Sequence, residues 1–318
     1  MIDYHEPVMC SQVLNYLITK KNGIYLDCTL GGGGHSQKIL EIIYPEGYLI
    51  GLDQDIDALE YARIKLKKYE DRLMIIKSNF KDLRLLLSEI NFMQITGILF
   101  DLGLSSHQLD NRSRGFSFMG DHLLDMRMDL SSQFTAYDVI NGYTEQELWD
   151  IFSRYGEERF SRSIAKIIVE ERKKNPIKST TQLADLVKRP YVKYKKNKWR
   201  IHPATKIFQA LRIEVNDELK VLQQALQDSI SILEPQGRIC VLAYHSLEDR
   251  IAKHTFKDYS KKETINKNGY GLKILSKKPF YPTKDEIEKN QRARSAKMRV
   301  AEKIFLEEVS KNEKYHAD

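Results

Sequence analysis

The chain has little cysteine. Cys10, Cys28 and Cys240 are the only three among 318 residues, and no C-x-x-C pair exists. That spacing speaks against a zinc knuckle and fits a reducing compartment. Cys28 and Cys240 fall in apolar runs and are expected to pack as small hydrophobes in buried strands. There is no run of about 18 apolar residues, so no segment is expected to span a membrane. The opening residues include His5, Glu6 and Pro7, where a secretory leader would place basic residues and then an apolar run. A cytoplasmic protein is expected. Internal repeats and low-complexity tracts are absent, although 188–198 is biased towards lysine.

Charge, by contrast, is plentiful. The formal net charge is +7 and the sequence pI about 9.0. From Lys188 to Arg200 there are seven Lys/Arg and no acid, and from Ile251 onwards 17 basic residues face 10 acidic ones. An anionic partner such as nucleic acid suits this excess, and so does simple solubility. The length suits one large or two modest domains with a full core.

The first hundred residues alternate. Strand-like runs at Ile24–Cys28, Tyr48–Asp53, Leu73–Ile76 and Gly97–Asp101 are separated by helical patterns at Ser36–Tyr44, Asp55–Lys68 and Leu83–Ile90. Such alternation predicts a parallel sheet with right-handed crossovers, a doubly wound α/β fold. After Asp101 the rhythm is lost. Leu102 to Asn141 has no clear period, and helical patterns follow at Glu145–Tyr155, Glu157–Lys174 and Thr181–Arg189 with no strands between. This predicts an inserted, mostly helical subdomain. A helix over Ala204–Leu233, a turn at Pro235-Gln236-Gly237 and a fifth core strand at Arg238–Tyr244 return the chain to the sheet. Leu272–Leu275 and Ala296–Glu302 are expected to close it as a hairpin. The expected division is 1–104, 105–203 and 204–318.

Between the first strand and the first helix lie four glycines, Gly31 to Gly34. Glycine permits a tight turn and close approach of a ligand to the backbone. A dinucleotide fingerprint, G-x-G-x-x-G, is incomplete: its third glycine would fall on Ser36 or Gln37. Ligands of open α/β sheets bind at the carboxyl ends of the strands. Those ends carry Asp27, Asp53 and Asp101, with Phe80 just after the third strand. Asp53 follows Gly31 by 22 residues, a spacing suited to an acid that holds ribose hydroxyls. At about 6 Å and an effective dielectric near 20, each like-charge pair costs roughly 3 kcal/mol. Such a rim opposes a pyrophosphate and suits a phosphate-free cationic cofactor, of which S-adenosylmethionine is an example. Phe80 is then a wall for adenine. The alternatives are helix-cap roles for Asp27 and Asp53 and a core role for Phe80.

Further blocks carry a resemblance. They are His5-Glu6-Pro7-Val8-Met9, Gly31-Gly32-Gly33-Gly34-His35-Ser36, Asp101-Leu102-Gly103-Leu104-Ser105-Ser106, Gln108-Leu109-Asp110 and Arg114-Gly115-Phe116-Ser117-Phe118. Leu124-Asp125-Met126-Arg127-Met128-Asp129, Tyr155-Gly156-Glu157-Glu158-Arg159-Phe160, His202-Pro203-Ala204-Thr205 and Phe208-Gln209-Ala210-Leu211-Arg212 come next, with Val215-Asn216. His245-Ser246-Leu247-Glu248-Asp249-Arg250 and Arg292-Ala293-Arg294-Ser295 complete the set. In this order, over nearly the whole length, they resemble the bacterial 16S ribosomal RNA cytosine-N4 methyltransferases of the MraW/RsmH family. His107, His122-Leu123 and Gln291 stand where that family usually has proline, Gly-Pro and proline; these departures touch loops. The resemblance implies a Rossmann-type methyltransferase sheet with a helical insertion. It implies S-adenosyl-L-methionine as cofactor, held at Gly33, Gly34, His35, Asp53, Phe80, Asp101 and Gln108. The implied partner is 16S ribosomal RNA in the small ribosomal subunit, methylated near the decoding site.

The amine of cytosine is a poor nucleophile, because its lone pair is delocalised into the ring. It needs an acceptor for an N–H and for the departing proton. Asp101 is the first candidate, then Ser105 and His245, with a turn hydroxyl and a helix-start residue as the plainer readings of the last two. Phe116, Phe118, Trp149 and Tyr244 are candidates for stacking on an unstacked base, or are core. Lys193, Lys195, Lys196, Lys198 and Arg200, interleaved with Tyr191, Tyr194 and Trp199, suit an RNA-facing strip, or a solvated loop. Two other classes compete. An NAD-type oxidoreductase conflicts with the incomplete fingerprint and the acidic rim. A non-catalytic ribosome-assembly protein keeping this fold has no need of Asp53, Asp101 and the glycine loop.

Overall fold

The computed structural model describes residues 7–105, 108, 111–193 and 202–306, and of Asp82, Arg112 and Lys193 only the backbone. A helix with no counterpart in the sequence reading, α1 (Cys10–Leu17), comes first. The expected alternation follows as β1 (Ile24–Asp27), α2 (Gly34–Ile43), β2 (Tyr48–Asp53), α3 (Ile56–Lys65), β3 (Leu73–Lys77), α4 (Leu83–Glu89) and β4 (Ile95–Asp101). Strands β1, β2, β3 and β4 pair in parallel, and β5 (Leu233–Ala243) continues the parallel run beside β4. The closing hairpin is formed by β6 (Tyr270–Ile274) and β7 (Lys297–Phe305). The strand order β3-β2-β1-β4-β5-β7-β6 puts the last strand inside, antiparallel to β5 and β6. The expected turn at Pro235-Gln236-Gly237 is a bulge: Ile95 pairs with Leu233 and Gly97 with Arg238, so the residues between are extruded.

Successive strand residues face opposite sides, and both sides are apolar. Leu26, Ile98, Phe100 and Val241 pack with Leu222 and Leu226 of α10 (Glu218–Ile232) and with Phe256 of α11 (Ser246–Tyr259). Tyr25, Leu99, Cys240 and Leu242 pack on the other side with Val13 and Leu17 of α1 and Ile39 and Leu40 of α2. Each of these side chains is almost wholly buried. Truncating one leucine such as Leu26 to alanine costs about 2–5 kcal/mol. Cys28 and Cys240 are small hydrophobes in this core, and burial pushes the Cys240 thiol up to about 12.

The described residues form two units, one up to Gly103 and again from Leu219, the other Leu104–Glu218. The second holds α5 (Ala136–Gly142), α6 (Glu145–Arg154), α7 (Ser161–Arg172), α8 (Thr180–Lys193) and α9 (Ala204–Asn216) around a core including Leu148, Phe152, Ile164, Leu183 and Leu211. Two capping boxes, Thr135 with Asp138 and Thr144 with Glu147, start α5 and α6. The helix expected to stop at Arg189 runs on through Pro190 to Lys193. Proline forfeits one backbone hydrogen bond there, and buried Leu186 and Val187 hold the turn. The single helix expected over 204–233 is two, because Asp217 is left-handed at φ 50°. The inserted unit therefore extends past residue 203 to Glu218. Ala204, Ile207 and Phe208 of α9 lie in its core, while α10 covers the sheet. Among the described residues no helix is long and apolar enough to cross a membrane.

Candidate active site

Strands β2, β1 and β4 are neighbours, and their carboxyl ends place Asp53, Asp27 and Asp101 side by side. The loop from β1 to α2 is tied to both flanking strand ends. The amide of Asp101 donates to Thr29 Oγ1 (2.7 Å), and the amide of Gly31 donates to Asp53 Oδ2 (2.8 Å). Gly31 (φ 49°) and Gly33 (φ 73°) adopt the left-handed conformation, which glycine enters without penalty. A Cβ on Gly33 would lie 3.0 Å from Leu66, and one on Gly34 3.4 Å from Pro7.

The three aspartates do not share one environment. Asp27 is fully buried and spent internally. One oxygen accepts the Thr29 amide (3.1 Å) and the other the Ser36 hydroxyl (2.7 Å). It is the turn-and-helix anchor of the loop rather than a ligand group, so the acidic rim expected from sequence is reduced to Asp53 and Asp101. Asp53 is half-buried; Oδ1 accepts the Asp55 amide (2.9 Å), while Asp55 itself caps α3. Loss of hydration outweighs these amides and pushes the Asp53 carboxyl up to about 6. Each oxygen keeps a further lone pair for a hydroxyl donor.

Asp101 is also partly exposed. Its Oδ1 accepts the hydroxyl of Tyr244 (2.7 Å), and its Oδ2 lies 3.4 Å from Nε2 of His35. His35 is buried in the first turn of α2, and neither ring nitrogen has a hydrogen-bond partner among the described residues. Burial alone would lower its pKa. Asp101, Cys10 and Asp27 outweigh burial and push it up to about 10, so the ring is an imidazolium at neutral pH.

Other expected residues divide. Phe80 is half-buried at the end of β3, edge-on to Phe100 with centroids 5.5 Å apart, and one ring face is not taken by that contact. Gln108, in the inserted unit, is buried. Its Oε1 accepts the Ser105 backbone amide and its own backbone amide donates to Ser105 Oγ, both at 3.1 Å. The Ser105 hydroxyl is thus a cap acceptor. His245 opens α11: Nδ1 accepts the Glu248 amide (3.4 Å), and Glu248 Oε2 accepts the amides of Tyr244 (2.8 Å) and His245 (3.2 Å). Nδ1 thus belongs to a capping box, while the buried Nε2 lies 3.1 Å from Glu248 Oε1. Phe116 is core, Phe118 stacks on His202 (4.5 Å), and Trp149 lies under the guanidinium of Arg162 (5.3 Å). Lys195, Lys196, Lys198 and Arg200 lie outside the described residues, as does the side chain of Lys193. Sequence reasoning missed the hydroxyl of Thr29 and the Tyr244–Asp101 bond. Thr29's place beside a strand-end acid was the one available signal for the former.

The chain matches the MraW methylase family over residues 3–304. It belongs to that family. Curated relatives include proteins named ribosomal RNA small subunit methyltransferase H. That of Clostridium botulinum is 45% identical over 309 residues, covering 94% of this chain and 99% of its own. That of Clostridioides difficile is 45% identical, with 95% and 99% covered, and that of Caldicellulosiruptor saccharolyticus 47%, with 94% and 99% covered. As a family methyltransferase the chain uses S-adenosyl-L-methionine. The residues fit that cofactor. Gly33 leaves little room for a side chain, Asp53 offers lone pairs, and Nδ1 of the buried His35 ring has no hydrogen-bond partner among the described residues.

Proposed function

We propose that this cytoplasmic enzyme methylates the exocyclic N4 amine of a cytidine in the 16S RNA of the small ribosomal subunit, near the decoding site. The relatives' names support ribosomal RNA of the small subunit, and the ordered motif blocks support the cytosine amine. The observation that carries the chemistry is the pair of partly exposed carboxylates, Asp53 and Asp101, on adjacent sides of the glycine loop. Gly33, Gly34, His35, Asp53, Phe80, Asp101 and Gln108 are assigned to the cofactor. When bound, S-adenosyl-L-methionine supplies an electrophilic methyl group on a sulfonium.

The chain's own residues then have defined tasks. Asp53 accepts hydroxyl protons of a ribose. Phe80 offers a ring face to a purine. Asp101 accepts an N–H of the target amine, which localises the nitrogen lone pair, and takes the proton that departs. Ser105 and His245 are the other candidates for this acceptor; Ser105 Oγ and His245 Nδ1 accept backbone amides in helix caps, and His245 Nε2 is buried 3.1 Å from Glu248 Oε1, which leaves Asp101 first. Lys193, Lys195, Lys196, Lys198 and Arg200 are assigned to the RNA backbone, where lysine and arginine displace counterions.

The test is transfer of a labelled methyl group to small ribosomal subunits by the wild type and by Asp101→Asn. Label is expected in the 16S RNA with the wild type and a rate at least about 100-fold lower with the variant. A variant with near wild-type rate would remove Asp101 as acceptor. A wild type that leaves the RNA unlabelled would overturn the reading.

A further inference from the structure

Tyr244 is built into its place by three contacts. Its backbone amide donates to the buried carboxylate of Glu248 (2.8 Å). Its ring lies against Gly103, where φ is +105° and a Cβ would come within 3.2 Å of Tyr244 Cδ2. Its hydroxyl donates to Asp101 Oδ1 (2.7 Å). The other oxygen of Asp101 faces the imidazole of His35 at 3.4 Å. The carboxylate therefore accepts a hydrogen bond at Oδ1 and faces the imidazole at Oδ2, which together favour one orientation about the Cβ–Cγ bond.

We propose that Tyr244 is a positioning residue of the cofactor site: its hydroxyl sets the orientation of Asp101, and through Asp101 it sets the affinity for the adenosyl-amino acid cofactor. The inference rests on the assignment of Asp101 to the cofactor. A carboxylate that must find its orientation at each binding event loses affinity to that search, and a donor already in place removes the loss. Tyrosine is the suitable donor here. Burial, and then the negative charge of Asp101, push its phenol pKa up, so the proton stays on oxygen throughout the working range. A lysine or arginine would add a third cation next to the His35 imidazolium and the cationic ligand.

Binding of S-adenosylhomocysteine, measured by calorimetry, tests this without turnover. Tyr244→Phe is expected to weaken binding about ten-fold, the loss of one hydrogen bond to a charged group. In the Asp101→Ala background the same change is expected to shift affinity by less than about two-fold, because the acceptor it orients is gone. Genetic insertion of 3-fluorotyrosine at 244, which restores a hydroxyl, is expected to return wild-type affinity. Wild-type affinity in Tyr244→Phe, or an equal loss in both backgrounds, overturns the proposal. If Tyr244→Phe proves unfolded by circular dichroism, 4-fluorophenylalanine at 244, which fills the place of the hydroxyl but donates no hydrogen bond, decides it: weakened binding supports the proposal and wild-type affinity overturns it. A wild type that fails to bind the ligand at all contradicts the assignment of the site, not the role of Tyr244.

Discussion

Nε2 of His35 and Oδ2 of Asp101 stand 3.4 Å apart at the mouth of the glycine loop, an imidazolium against a carboxylate. The pair joins the first turn of α2 to the end of β4, so it couples the loop's shape to the acid proposed as the proton acceptor. Its cation is a product of the fold: burial opposes the charge, and three neighbours restore it.

That pair predicts a linkage. The His35 pKa is raised in the folded protein to about 10, above the ordinary 6.5. Its contribution to stability is therefore full below pH 6.5 and is lost as pH rises through 10. Denaturant midpoints of the wild type and His35→Gln, compared from pH 6 to 10, are expected to converge as pH rises. A constant difference would mean that the ring is neutral in the fold.

Asp53 titrates where binding can be followed. Its carboxyl is raised to about 6, and only the ionised form accepts two hydroxyl protons. Affinity for S-adenosylhomocysteine is expected to be flat above about pH 7 and to fall about ten-fold by pH 5, one unit below that value. Asp53→Asn should bind more weakly at neutral pH and lose the slope. A slope that survives in the variant assigns it to another group.

Gly33 and Gly34 should separate strain from contact. Gly33→Ala forces a side chain into φ 73° and towards Leu66, and is expected to cost about 1–3 kcal/mol of stability. Gly34→Ala meets no left-handed backbone and only an ordinary contact with Pro7. It should melt near the wild type yet bind cofactor about ten-fold more weakly, through crowding of the ligand. Unchanged affinity in Gly34→Ala would move the cofactor away from this turn.

His245 should behave as a cap. Alanine is expected to cost about 1 kcal/mol, and asparagine, a good N-cap, to recover most of it. Turnover should follow stability in the two variants. A stable His245→Asn protein with a rate lowered 100-fold would make the imidazole a second acceptor.

The sheet was legible because its alternation of apolar runs and amphipathic segments is a local pattern, and the place of Asp53 beside the glycine loop because 22 residues after Gly31 is one strand–helix–strand unit. What escaped depends on contacts distant in sequence. Asp27 has the same strand-end address as Asp53 and Asp101; only the Ser36 hydroxyl, reached once α2 has formed, turns it inward. Tyr244 read as a base-stacking ring or as core, and 143 residues separate its hydroxyl from Asp101. The break at Asp217 is a left-handed residue that is not glycine, so it leaves no mark in composition. The place of β7 between β5 and β6 is a tertiary choice that two similar apolar runs do not announce.

The most direct measurement is the identity of the product. Small subunits from cells lacking this activity would be incubated with the enzyme and methyl-labelled S-adenosyl-L-methionine, and the 16S RNA digested to nucleosides for mass spectrometry. Labelled N4-methylcytidine is expected from the wild type, formed at least about 100-fold more slowly by Asp101→Asn. Label on another base, or on a ring carbon or ribose oxygen of cytidine, would contradict it.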